Sequence, residues 1–472
     1  MICNSFPNRC DMSIIEFELD KRFFNCSDYK KRIVNNYYVI FYLARLSDKD
    51  FISDKIIKPL IITREKDNKN IYELVSCRDI IQSSNIEDIV FAMLHGNAII
   101  EDRSNAIYEY YICNADISSG RSISEPDTDV TVHGPHAGFV ESLDANITEI
   151  RKYLRTEHLK IENYVLGKDT KTNCALMYLD NVIRKDVLNN IRKKLLTINI
   201  RDGINSDTIK LSLSGKKTIF PIIGSFEKPD IVSAKLLGGR AAIVIDGNPF
   251  VLTLPYVFSE SIQSPEDYTK SVYYASFSRF LRFIGIIIAV YLPALIVCAF
   301  YGNSKLIPYE MLFAINSSRE GVSFGLFGEL VFSLVIFEII REVGQRMPRA
   351  VGDAVGIVAS IILGDAAVKA GISSMVVIMV VALCAVSNFI VPIYKDITVL
   401  LRFMFLFFAY VFSFYGIFLL NMILMIYLTK NNSFGIPYLT SAAPINDGIK
   451  DFLISFPKIV SKRGDKGIAK NK

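Results

Sequence analysis

Tryptophan is absent from the 472 residues, histidine occurs four times, and the eight cysteines include no Cys-x-x-Cys pair. The cysteines stand at 3, 10, 26, 77, 113, 174, 298 and 384, spacings that suit neither a zinc ribbon nor a disulfide framework. Free thiols in a reducing compartment follow. The segment His133-Gly134-Pro135-His136 holds two imidazoles, but its Gly-Pro bend does not set both rings on one helical face, so no metal site is expected. No G-x-S-x-G, H-E-x-x-H or dinucleotide fingerprint occurs. The loop Ser214-Gly215-Lys216-Lys217-Thr218 lacks the earlier glycine of a phosphate cradle and has Lys217 where that loop needs Ser or Thr. The chain therefore reads as non-enzymatic, with no cofactor. A net charge of +5, from 53 basic and 48 acidic residues, is too small to imply nucleic acid.

Charge is also scarce overall. Only 21% of residues are charged, 51% are hydrophobic, and the mean hydropathy is +0.31. Those values exclude a disordered chain and an ordinary soluble enzyme. The scarcity is not uniform. Up to Arg282 the longest run without Asp, Glu, Lys or Arg is Gly247–Ser259, too short to cross a bilayer. Beyond it Phe283–Tyr301, Ser374–Tyr394 and Phe403–Leu428 are wholly uncharged, and Gly325–Ile340 and Ala354–Gly371 are apolar with two charges each. An integral membrane protein is expected, since about 20 apolar residues suffice for a spanning helix.

Orientation follows from the basic residues. Met1–Met12 has no apolar core or cleavage site, so the expectation is that no signal peptide exports the amino-terminal half. Lys270, Arg279 and Arg282 precede the first run, and the tail beyond Asn446 is basic. The positive-inside rule places both in the cytoplasm, which requires an even number of spans. The expected arrangement is four spans at 283–301, 325–340, 374–394 and 403–428, with 354–371 re-entrant or buried; five spans is the alternative. In that arrangement the loop carrying Lys395 and Arg402 faces outward, against the rule.

The polar half has an internal echo. Val39–Leu60 reads as a strand and a helix, and Ala175–Leu196 repeats it at a shift of 136, matching Tyr42 with Tyr178, Lys49 with Lys185 and Leu60 with Leu196. Gly96–Asp102 resembles Gly239–Asp246, and Gly239–Leu254 has the signature of a hairpin turning at Asp246-Gly247. The expected plan is a first α/β lobe at 1–116, a linker at 117–129, a second α/β lobe at 130–270, a helical membrane domain at 271–430 and a basic cytoplasmic tail at 431–472. Phe139, Leu143, Ile147, Ile150 and Leu154 form one helical stripe suited to core packing.

Charges inside the apolar half are the candidate functional residues, because a charge at mid-bilayer costs about 2.5–3.5 kcal/mol and must face protein or water. Asp365 and Lys369 lie one helical turn apart and can pair; Val358 and Ile362 continue that face as candidate pore lining. Gly356, Ala359, Gly364, Ala367 and Gly371 make the opposite side small enough for close packing. Glu338, Arg341, Glu342 and Arg346 form a charged cluster that is either an interfacial salt-bridge network or part of a gate.

Several patches carry a resemblance. They are Gly134-Pro135-x-x-Gly138-Phe139-x-Glu141, Glu227-Lys228-Pro229-Asp230, Gly239-Arg240 through Asp246-Gly247-x-Pro249, and Ser264-Pro265-Glu266-Asp267-Tyr268. In the apolar half they are Phe337-Glu338-x-x-Arg341-Glu342-x-Gly344-x-Arg346-x-Pro348, Gly364-x-Ala366-Ala367-Val368-x-Ala370-Gly371, Arg402-Phe403 and Ser433-Phe434-Gly435-x-Pro437-Tyr438. In this order they resemble the A subunits of the GerA family of bacterial spore germinant receptors. The resemblance implies a protein of the spore inner membrane whose two-lobed domain faces the spore core. It implies as partners a transporter-like B subunit, a lipoprotein C subunit and further copies of the chain, forming a channel that releases cations. An alternative is a SpoVAF-like paralogue that releases ions downstream of the receptors; a stand-alone secondary transporter is a further one. Asp365 and Lys369 depart from the family, in which Gln and Glu are common at these positions.

Overall fold

The computed structural model describes residues 12–35, 37–62, 71–77, 79–104, 108–116, 137–198, 205–215, 218–268, 270–302, 309–347, 362–440 and 468–469. The expected linker at 117–129, the histidine pair at 133 and 136, Val358 and most of the basic tail lie outside the described residues.

Strands of the first lobe are β1 (Tyr29–Val34), β2 (Tyr38–Leu43), β3 (Ile80–Gln82), β4 (Ala98–Asp102) and β5 (Glu109–Cys113). Those of the second are β6 (Leu159–Leu166), β7 (Thr172–Leu179), β8 (Gly224–Phe226), β9 (Ala241–Ile245) and β10 (Val251–Leu254). The first sheet runs β1-β2-β4-β5-β3 and the second β6-β7-β9-β10-β8, the same order by position, with antiparallel pairing throughout. A shared five-strand topology that sequential pairing does not dictate is what a duplicated lobe produces. Helices recur at matching places. Helix α1 (Ile14–Arg22) precedes β1 and α2 (Ile86–Leu94) precedes β4; α3 (Leu143–Tyr153) and α5 (Pro229–Leu237) precede β6 and β9. Between β7 and β8 runs α4 (Lys185–Thr197).

Each sheet is covered on both faces, so central strands such as Ala241–Ile245 read as continuous apolar runs rather than alternating ones. In the second lobe one face packs on Ile147, Ile150, Val232 and Leu236 of α3 and α5, together with Phe139 and Leu154 of the predicted stripe. Between the lobes Arg151 and Asp28 form a bidentate pair at 2.9 and 3.0 Å, both side chains fully buried. Ser27 donates its backbone N–H to the Ile161 carbonyl beside them.

The carboxyl-terminal half is a bundle of α6 (Val272–Tyr301), α7 (Leu326–Arg346), α8 (Met375–Ile390) and α9 (Lys395–Lys430). Two helical stretches, Val272–Tyr301 and Pro392–Lys430, are long and apolar enough to cross a membrane, and Met375–Ile390 is a shorter apolar helix. The chain is thus a two-lobed α/β unit followed by an α-helical unit.

One expectation is corrected here. The run 403–428 is not a single span, because Ser413 inside α9 has φ 52° and ψ −139°. A straight helix would hold Tyr394 and Tyr427 about 50 Å apart. Both rings instead lie against Phe220 of the second lobe, with centroids 5.9 and 6.2 Å away. Helix α9 therefore runs away from the lobes, reverses at Ser413 and returns. Gly302, at the far end of α6, leaves room for the Ser413 side chain at this turn. Lys395, next to Tyr394, accordingly lies on the lobe side of the bundle.

Residues 431–440 are likewise not a free tail. The hairpin of β11 (Asn432–Ser433) and β12 (Ile436–Pro437) inserts into the second lobe. Ser433 Oγ donates to the Ile222 carbonyl at 2.8 Å and accepts the Tyr256 N–H at 3.1 Å. The Tyr394 and Tyr438 hydroxyls meet at 2.8 Å. One core continues from Leu176, Ile243 and Leu252 of the second lobe through Tyr394, Leu428, Phe434 and Tyr438.

Candidate functional site in the helical bundle

Polar groups inside the bundle fall at three levels. Nearest the lobes, the carboxylate of Asp267 meets Arg279 at 2.9 Å and Arg282 at 2.6 Å. Asp267 and Arg279 are almost wholly buried, so the lobe is fastened to the first turns of α6 by charge. Burial alone would push the Asp267 carboxyl up. Hydrogen bonds from Arg282, the Ser264 N–H and Arg279 outweigh it and hold the carboxyl below the usual carboxylate range.

The middle level centres on Arg402. Pro293 sits inside α6 and has no N–H, so the carbonyl four residues earlier, that of Ala289, loses its helical partner. Arg402 Nε supplies the hydrogen bond at 2.7 Å. Its guanidinium is fully buried, with Nη1 3.6 Å from Glu338 Oε1, while Arg341 Nη2 lies 2.9 Å from Glu338 Oε2. Thr398, one turn before Arg402, donates to Asn388 Oδ1 at 2.9 Å. All four helices thus contribute to this level. Farthest from the lobes, fully buried Glu329 pairs with Arg319 at 3.1 Å and accepts the Ser374 N–H at the start of α8. Ser333 and Ser373 hydroxyls join α7 to the segment before α8 at 2.8 Å.

The expected cluster on α7 therefore separates. Glu338 and Arg341 turn toward Arg402, with side chains 16% and 18% exposed. Glu342 and Arg346 pair with each other at 2.8 Å, at 55% and 79% exposure. Asp365 and Lys369 pair at 2.7 Å on the short helix 362–369, and their side chains are 60% and 76% exposed. Ile362 is exposed on the same helix. The reading of 354–371 as buried is corrected for its described part, since no residue of 362–370 is buried. The bundle interior is already filled by apolar residues of α6, α7, α8 and both limbs of α9. Among the described residues no group of His, Cys, Asp or Glu could hold a metal ion.

Sequence reasoning passed over Arg402, Asn388, Asp267 and Glu329 as site residues. Their signal was available in part, since a lone Arg bordering an apolar run needs a buried partner. Which partner it takes depends on Pro293 and on the reversal of α9.

With this architecture in place, the comparisons with known proteins define the class: the chain belongs to the GerA family of spore germination proteins. The family described as Bacillus/Clostridium GerA spore germination protein matches residues 15–466. Spore germination protein KA of Bacillus subtilis (strain 168) is 34% identical over 440 residues, covering 91% of this chain and 80% of that protein. Spore germination protein GerLA of Bacillus cereus is 31% identical over 466 residues, covering 97% and 91%. A solved structure, the N-terminal domain of the A subunit of the Bacillus megaterium spore germinant receptor GerK3, is 25% identical and covers 51% of this chain and 93% of that one, with a TM-score of 0.38.

Proposed function

We propose that the chain is the A subunit of a nutrient germinant receptor in the spore inner membrane, and that copies of it assemble into a channel releasing cations when the receptor is triggered. Family membership supports the receptor role. The observation that carries the channel reading is the exposed Asp365–Lys369 pair on the otherwise uncharged short helix 362–369. Two charges facing lipid would each cost about 2.5–3.5 kcal/mol, so this surface meets water or a neighbouring chain. In a symmetric ring the face carrying Val358, Ile362, Asp365 and Lys369 lines the axis, with aliphatic side chains as a dry constriction and the ion pair at its mouth. Both lobes, the 431–438 hairpin and the two ends of α9 lie on the spore-core side. The partners are a transporter-like B subunit and a lipoprotein C subunit.

The test is ion release from spores. Ile362→Ala should widen the constriction and leak ions without nutrient. Lys369→Ala should alter cation passage more than subunit abundance. Normal ion retention in Ile362→Ala, with low abundance of Lys369→Ala that is restored when Asp365→Ala is added, would mean a structural pair and no pore.

A further inference from the structure

The middle level of the bundle has an imbalance that its own side chains do not resolve. Five buried nitrogens, Arg402 Nη1 and Nη2, Arg341 Nε and Nη1, and Asn388 Nδ2, have no hydrogen-bond partner. The matching buried acceptors are the two oxygens of Glu338, which lie within ion-pair distance of both guanidinium groups without a well-directed hydrogen bond. Two guanidinium charges thus face one carboxylate. Among the described residues Lys395 and Asp396, at the start of α9, also act on Glu338 and with opposite sign. The level keeps a net charge of +1 and a surplus of donors.

Arginine stays protonated at any pH a protein tolerates, so the surplus cannot be removed by losing a proton. Leaving buried donors unmade costs about 1–3 kcal/mol each, more for a charged group. An acceptor-only species of charge −1 removes both problems together. We propose that this cluster is a binding site for one small monovalent inorganic anion of the halide class, held by Arg402, Arg341 and Asn388. Arg402 is fixed for this role by its Nε bond to Ala289, which leaves both Nη groups without a directed hydrogen bond, and Asn388 by Thr398, which occupies its oxygen and leaves its NH₂. A carboxylate ligand is disfavoured because Glu338 already presents one carboxylate to both guanidinium groups. The bound anion ties α7, α8 and α9 together through groups that otherwise repel.

The experiment uses the full chain in lipid nanodiscs and reads its unfolding temperature. Sodium chloride or bromide is titrated against sodium gluconate at constant ionic strength, gluconate being too large to enter. The expected result is a saturable rise of about 2–4 °C with halide. Arg402→Gln should abolish the dependence. Glu338→Gln removes the competing carboxylate charge, so saturation should move to lower halide concentration. Should Arg402→Gln fail to accumulate as folded protein, the Glu338→Gln titration decides alone. An unfolding temperature indifferent to halide in the unaltered chain, or a saturation point unmoved by Glu338→Gln, would assign the cluster to water and overturn the proposal. Neither readout requires the chain to conduct ions.

Discussion

Asp267→Asn tests how the second lobe holds the bundle. The substitution keeps the side-chain shape and an oxygen for the Ser264 N–H, but it removes the charge that Arg279 and Arg282 share. Arg279 is fully buried and loses the carboxylate charge it pairs with. Breaking a buried pair from one side costs about 3–5 kcal/mol. Arg282 is partly exposed and can turn to water, which favours the lower figure, about 3 kcal/mol. For a unit of roughly 150–250 residues that loss lowers the unfolding temperature by about 6–12 °C, at 2–4 °C per kcal/mol. The assay is thermal unfolding of the full chain in nanodiscs followed by far-ultraviolet circular dichroism. The pH dependence has a definite sign. Because the folded carboxyl lies below its ordinary value, its contribution is complete above the unfolded pKa of about 3.9 and is lost as pH falls through the folded value. The difference between the two proteins should be constant from neutral pH to about 5 and shrink only in stronger acid. Adding Arg279→Met should recover part of the loss, since the buried cation that shared the Asp267 charge is then gone. An unchanged unfolding temperature in Asp267→Asn, or no recovery in the double variant, would show that the charge does not fasten lobe to helix.

Three further substitutions probe the lobe contact and the reversal of α9. Arg151→Met strands Asp28 between the lobes and should cost about 3–5 kcal/mol, read as a lower unfolding temperature; adding Asp28→Leu should restore much of it. Gly302→Ala puts a Cβ against the Ser413 side chain and 2.8 Å from the Cys298 carbonyl, and should destabilise the α9 reversal by about 1–3 kcal/mol, seen as reduced subunit level in membranes. Single cysteines at 413 and 430, in a background lacking the natural ones, should react with an impermeant maleimide from opposite sides of the membrane; labelling from the same side would refute the reversal of α9.

Much of this chain is legible in its sequence, because the signals are local. The boundary near residue 271 is a change in charge density, and a bilayer-length run without charge needs no partner to be recognised. The duplicated lobes were visible because strand and helix periodicity is a short-range property, and the matches at Tyr42 and Tyr178 fall on equivalent strands β2 and β7. Pairing of Asp365 with Lys369 is also local, one helical turn apart.

Tertiary structure decided the rest. An apolar run of 26 residues looks the same whether it crosses once or folds back, since apolar surface is satisfied either way. What bends α9 at Ser413 is the docking of both its ends on the second lobe, through Phe220, Tyr394, Tyr427 and Tyr438, residues far apart in sequence. The split of the α7 charges has the same origin. Glu338, Arg341, Glu342 and Arg346 are equivalent in sequence, and only the arrival of Arg402 from another helix, drawn to a carbonyl that Pro293 left open, turns the first two inward. Buried charge takes its meaning from whatever lies within a few ångströms of it, and in this bundle those neighbours come from three other helices.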